Sequence, residues 1–174
     1  TQDHPGLFSR IAGAVTMAGC QVVYARINTR KDGTILDEFM IQTLEKSSVK
    51  EPETLFRIKK MIDDTLAGKI ILAEQLGKKT KTISKRQKAM LTVPRVTITN
   101  QMSNTHTVLE ISGPDRPQLL YDLTRKIAQL GLQINSASVS TYGDRAVDVF
   151  YVKDIFGMKI KTDIMIEKIR NSLL

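Results

Sequence analysis

Apolar residues recur at helical spacing through Leu7, Ile11, Val15 and Ala18, and Gly19 follows where such a helix would stop. The next stretch, Gln21 to Thr29, alternates instead, with Val23, Ala25 and Ile27 on one side, which predicts a strand. Lys31-Asp32-Gly33-Thr34 reads as a hairpin turn and Ile35 to Thr43 as the partner strand. After Pro52, the positions Leu55, Ile58, Ile62 and Leu66 make an apolar stripe that ends at Gly68, a second helix. The order is helix, strand, strand, helix.

That order then comes round again. Leu119, Leu123, Ile127 and Leu130 mark a helix closed by Gly131, and Thr162 and Asp163 open a last one carrying Met165, Ile169 and Leu173. Seven positions, Asp3, Pro5, Leu7, Gly19, Gln21, Ala25 and Thr29, are identical 112 residues later. The spacing drops to 111 beyond the hairpin turn, where Asp37 and Phe39 match Asp148 and Phe150, and loops tolerate such a change. Between the copies, Arg95 to Asn100 and Thr107 to Ser112 read as short strands. The latter opens the second unit, while Val96-Thr97-Ile98-Thr99 is able to close the first. Two βαββαβ units follow, each a split βαβ antiparallel sheet with both helices on one face, because crossovers are right-handed. On the strand Ala146 to Val152, Val147, Val149 and Tyr151 share one side and Asp148, Phe150 and Val152 the other. Neither face is simply polar, so the one away from the helices is expected to meet something else.

Composition agrees with two small domains: 174 residues at 41% hydrophobic content can bury a core in each. We divide them as residues 1–76, a linker 77–94 and residues 95–174. The first unit lacks an opening strand, as expected of an excerpt from a longer chain. Much of the net charge of +8 is local, in Lys78, Lys79, Lys81, Lys85, Arg86 and Lys88, a run lacking aromatics that reads as a solvated connector. Nucleic-acid binding would need aromatics on adjacent strands, and of Phe39, Phe150 and Tyr151 the two Phe read as core. The single Cys20 ends an apolar helix pattern, which predicts a buried thiol in a reducing, cytoplasmic setting. No run of 18 apolar residues is present, so no membrane partner is expected. With His4 and His106 as its only histidines, the segment offers no catalytic or metal-ligating cluster.

One chemical motif stands out, the turn within Ile111-Ser-Gly-Pro-Asp-Arg-Pro-Gln-Leu-Leu120, repeated as Asp3-His4-Pro5-Gly6-Leu7-Phe8. Asp115 is placed to cap the helix and Pro117 to sit in its first turn. A helix start of this kind presents N–H groups and a positive dipole end to a small carboxylate, and a nearby Asp accepts from an ammonium. A single copy would be an ordinary helix cap; the repetition favours a ligand.

These turns, with Pro94-Arg95-Val96-Thr97-Ile98, the segment Thr141 to Tyr151 and Phe156-Gly157-Met158-Lys159, carry a resemblance over nearly the whole chain. Each unit resembles an ACT domain, a ferredoxin-like module that binds amino acids at its first strand-to-helix turn, so the fold class implied is α+β with tandem ACT domains. The order and spacing of the motifs are similar to the C-terminal tandem of the bifunctional uridylyltransferase/uridylyl-removing family. The resemblance implies an effector amino acid, glutamine, and no cofactor in this segment. It further implies a parent whose catalytic domains use UTP and a divalent metal to add uridylyl groups to the PII nitrogen regulatory protein and hydrolyse them off again. It carries over a ligand set of Asp3, His4, Gly6, Leu7, Val22 and Val23 in the first unit, and of Asp115, Arg116, Gln118, Leu119, Ile134 and Asn135 in the second. Gln118 departs from the family, which usually has Gly there. The other readings are an ACT pair sensing a different amino acid and a structural module without a ligand. Unpaired sheet edges predict association between units or between chains, with Arg95 to Gln101 the segment most readily shared.

Overall fold

The computed structural model describes residues 6–26, 36–43, 51–79 and 93–174, with the side chains of 77–79 left out. The first half contributes α1 (Leu7–Met17), β1 (Cys20–Arg26), β2 (Glu38–Thr43), α2 (Pro52–Leu66) and α3 (Leu72–Lys79). The second contributes β3 (Arg95–Thr99), β4 (Thr107–Pro114), α4 (Leu119–Gln129), β5 (Gln133–Tyr142), β6 (Arg145–Lys153) and α5 (Asp163–Leu173). The hairpin turn at Lys31 to Thr34 and most of the basic connector lie outside the described residues.

The described strands form one antiparallel sheet in the order β2-β1-β5-β6-β4-β3. Its middle is a seam between the halves, where Tyr24, Ala25 and Arg26 pair with Ser140, Val139 and Ser138. Arg26 and Ser138 are 112 residues apart, so they are one and the same position of the repeat. An antiparallel pair of equivalent residues defines a two-fold axis, and the two units are related by that pseudo-dyad. Equivalent positions are buried alike: Val15 with Ile127, Cys20 with Leu132, and Ala25 with Ala137.

The strand at Arg95–Thr99 pairs with β4 at the far edge of the sheet, and its reading as the closing strand of the first unit is corrected accordingly. Chain order leaves that choice open; side-chain burial decides it. Val96 buries against the core shared by β4, β6 and α5, and α5 packs over β3. A polar clasp holds this edge: the Thr107 hydroxyl donates to Asn100 Oδ1 at 2.7 Å and accepts from the Ile160 N–H at 2.9 Å, while Asn100 Nδ2 donates to the Ile160 carbonyl at 2.8 Å.

Phe8 of α1, Leu123 and Ile127 of α4, and Ile169 and Leu173 of α5 join Leu109, Ala137, Phe150 and Val152 of the strands in a single cluster. The helices therefore cover one sheet face, the face to which Asp148 also points. α3 is an element that the sequence pattern does not announce; Leu72 and Leu76 bury against Tyr121 of α4 and bind the end of the first unit to the second. No helix among the described residues is long and apolar enough to cross a membrane.

Candidate functional site

Each unit leads into its first helix through a residue in the left-handed region, Gly6 (φ 84°, ψ −1°) and Gln118 (φ 70°, ψ −2°). Gln118 is the single non-glycine residue with positive φ among the described residues, and that conformation costs an L-residue roughly 1–2 kcal/mol. The backbone thus keeps the glycine geometry where the side chain has changed. Asp115 and Pro117 precede the helix, which corrects their expected places as cap and first-turn residue: Gln118 is the N-cap and bonds through its carbonyl to the Asp122 N–H at 2.9 Å. Asp115 instead follows directly on β4, its N–H donating to the Asp144 carbonyl at 2.8 Å.

A second feature is repeated in the strand that follows each helix. The β1–β2 register shifts between Val22 and Tyr24, and the β5–β6 register between Ile134 and Ser136. Val23 and Asn135, the bulged residues, are again equivalent. Bulges re-aim side chains at strand ends and are commonly found beside sites.

Turn and strand meet across the seam. A small cavity is lined by Ala12, Thr16, Gln21 and Val22 of the first unit and by Asp115, Arg116, Gln118, Leu119 and Asp148 of the second. Val22 therefore lines a cavity with the turn of the other unit, whereas the sequence pattern grouped it with the turn of its own. The dyad-related arrangement has Gly6 facing Ala128, the equivalent of Thr16; a methyl group at Gly6 would stand 4.0 Å from the Ala128 Cβ. Leu7 is buried at the start of α1, and Ile134 packs against the main core. Val23 turns to the opposite sheet face, beside Met40, Gln42 and Tyr142. Asn135 Oδ1 is buried and makes no hydrogen bond. Asp3 and His4 lie outside the described residues.

The seam cavity holds about 30 Å³, room for water but not for an amino acid. Against the other side of the same turn lies a space of about 290 Å³ between α4, β4 and the end of α5. Asp115, Arg116, Leu119, Ala146 and Asp148 border both. Arg116 is already engaged, its Nη1 2.6 Å from the Asp122 carboxylate.

Asp148 is the residue that the motif search missed. It is 2% exposed, its Oδ1 has no hydrogen-bond partner, and burial followed by repulsion from Asp115 raises its pKa to about 7, against a backbone hydrogen bond from Ser140 that lowers it. Its match with Asp37 in the repeat was the available signal, an acid kept on the core side of an apolar strand. Among the described residues no cluster of His, Cys, Asp or Glu is arranged to hold a metal ion.

Residues 95–173 match the model of the ACR9-like, ACT-like domain family. Over 99% of its length the chain is 46% identical to the bifunctional uridylyltransferase/uridylyl-removing enzyme of Rhodospirillum rubrum. It is 45% identical to that of Azospirillum brasilense and 44% to that of Gluconobacter oxydans, each again over 99% of the chain. It spans 18% of the length of these relatives. Sequence, sheet and repeated turns agree: residues 95–173 are an ACT-like domain, and the chain as a whole is similar to the C-terminal region of the bifunctional uridylyltransferase/uridylyl-removing enzymes.

Proposed function

We propose that this segment senses an amino acid, glutamine, for a cytoplasmic parent enzyme that uridylylates the PII nitrogen regulatory protein and removes those groups. The observation that carries the reading is the seam cavity, where the left-handed turn of the second unit faces Gln21 and Val22 at the start of the bulged strand of the first. Asp115 supplies a carboxylate to a ligand ammonium, Arg116 turns from Asp122 to a ligand carboxylate, and the amides of Gln21 and Gln118 border the same cavity for a primary amide on the ligand. UTP and the divalent metal belong to the parent's catalytic domains in this reading.

Because the seam cavity is water-sized, ligand entry must displace the turn at Asp115–Gln118 from β1. That displacement gives the effector different affinities for two arrangements of the units, the condition for a switch. A small zwitterion with few atoms binds in the micromolar to millimolar range. Titration calorimetry with glutamine, glutamate and branched-chain amino acids tests the reading: glutamine binds best, and Asp115→Ala weakens it at least tenfold. Equal affinity for all of them, or unchanged binding by the Asp115 variant, refutes glutamine sensing at this site.

A further inference from the structure

We infer that the space between α4, β4 and the end of α5 is a second binding site, for a primary ammonium compound with an apolar body, whose ammonium bonds the open oxygen of Asp148. This goes beyond the glutamine reading and does not depend on it. The cavity, at about 290 Å³, reaches the size at which small-molecule sites begin, roughly 300 Å³. Its walls are mainly apolar, formed by Pro94, Ile111, Leu119, Leu123, Leu173 and Leu174. At its floor stands Asp148, almost wholly buried with one oxygen unpaired. Buried polar groups are nearly always hydrogen-bonded, so an open carboxyl oxygen at a cavity floor calls for a donor.

Charge selects the kind of donor. The charged groups bordering the cavity are Asp115 from the turn and Arg116, Asp122 and Lys126 from the turn and α4. Strand β4 and helix α5 add only uncharged side chains, Ile111, Ser112, Leu173 and Leu174, and from across the seam Ala12, Thr16, Gln21 and Val22 add none. Arg116 is held by Asp122, and Asp115 repels Asp148 at the floor, a repulsion that an ammonium on Asp148 relieves. An ammonium also supplies three donors in a compact head, which suits a narrow floor beneath apolar walls. Lys126 is exposed at the border and is available to a carboxylate where the ligand is an amino acid.

The inference is tested by calorimetry on the intact chain with three probes of similar size: L-leucine, 3-methylbutylamine and 4-methylpentanoate. Leucine and the amine are expected to bind at millimolar concentration or below and the acid not to bind. Asp148→Asn should weaken the amine at least tenfold, and Leu174→Trp, at a position 59% exposed, should block the cavity without disturbing the fold. Gln21→Ala, at a residue that does not border this cavity, should leave amine binding unchanged. Absence of binding by both amines, equal binding of the acid, or unaltered amine affinity in an Asp148→Asn protein that melts no lower than the wild type would each overturn it. Amine binding without any glutamine response would strike the sensing proposal and leave this site standing; the reverse result would strike this site alone.

Discussion

Gly13 of α1 lies so close to Tyr121 of α4 that a Cβ on the glycine would stand 2.8 Å from the ring's Cδ2 and 2.6 Å from Leu72 Cδ1. Three helices meet at this point, and contact there sets the distance between the units. Gly13→Ala is expected to push α1 from α4 and to cost about 1–3 kcal/mol, as overpacking of a tight contact does. Urea unfolding checks the loss. A wild-type midpoint would mean that the helices are free to separate without strain.

Gly6 and Gln118 occupy the same left-handed position, so reciprocal exchanges should have opposite effects. Gln118→Gly removes the strain of positive φ and is expected to stabilise by about 1 kcal/mol, while Gly6→Gln costs a similar amount. Paired urea titrations measure both. If the Gln118 amide also contacts an effector, its glycine variant gains stability and loses affinity, a combination that strain relief alone does not produce.

Ionisation of Asp148 makes stability depend on pH. An unfolded Asp titrates near its ordinary value of about 3.9, whereas in the fold its pKa rises to about 7. Between those values the folded protein holds the extra proton, so wild-type stability falls as pH rises through that window and levels off above it. Asp148→Asn mimics the neutral acid and lacks this dependence. Calorimetric melts should show the variant near wild type at about pH 4 and several degrees more stable at about pH 8. A gap that does not change with pH would count against this account of the carboxyl.

Arg10 reaches from α1 to the end of α2, its Nη2 donating to the Thr65 carbonyl at 2.6 Å and, at 3.4 Å, to that of Leu66. A cation there satisfies carbonyls that a helix end leaves open. Arg10→Met keeps the aliphatic stem and loses the bonds, with an expected cost of about 1–2 kcal/mol. Hydrogen exchange should quicken in α2 before it does in α4.

Helices α1 and α4 were legible because Leu7 to Ala18 and Leu119 to Leu130 repeat the same apolar spacing and stop at Gly19 and Gly131. α3 was not, since eight residues holding only Leu72 and Leu76 as large apolar side chains give too short a period to separate from a connector. The partner of β3 was beyond local pattern: alternation in Val96 to Thr99 announces a strand and says nothing of its neighbour. The turn residues Asp115, Arg116, Gln118 and Leu119 were found by repetition and do gather at one place. Their alliance with Val22 depends on the seam, which no spacing along the chain encodes. Asp148 escaped for the same reason, its meaning arising from a turn brought close only by the β4–β6 pairing.

The antiparallel pairing of Arg26 with Ser138 carries a mechanical consequence. When two strands related by a dyad slide past each other, the symmetry survives the motion, because each moves by the same amount in its own chain direction. The gap between Gln118 and Thr16 and the gap between Gly6 and Ala128 must then widen or narrow in step. The two ends of the seam work like the jaws of one vice on one screw: whatever prises open the first also readies the second.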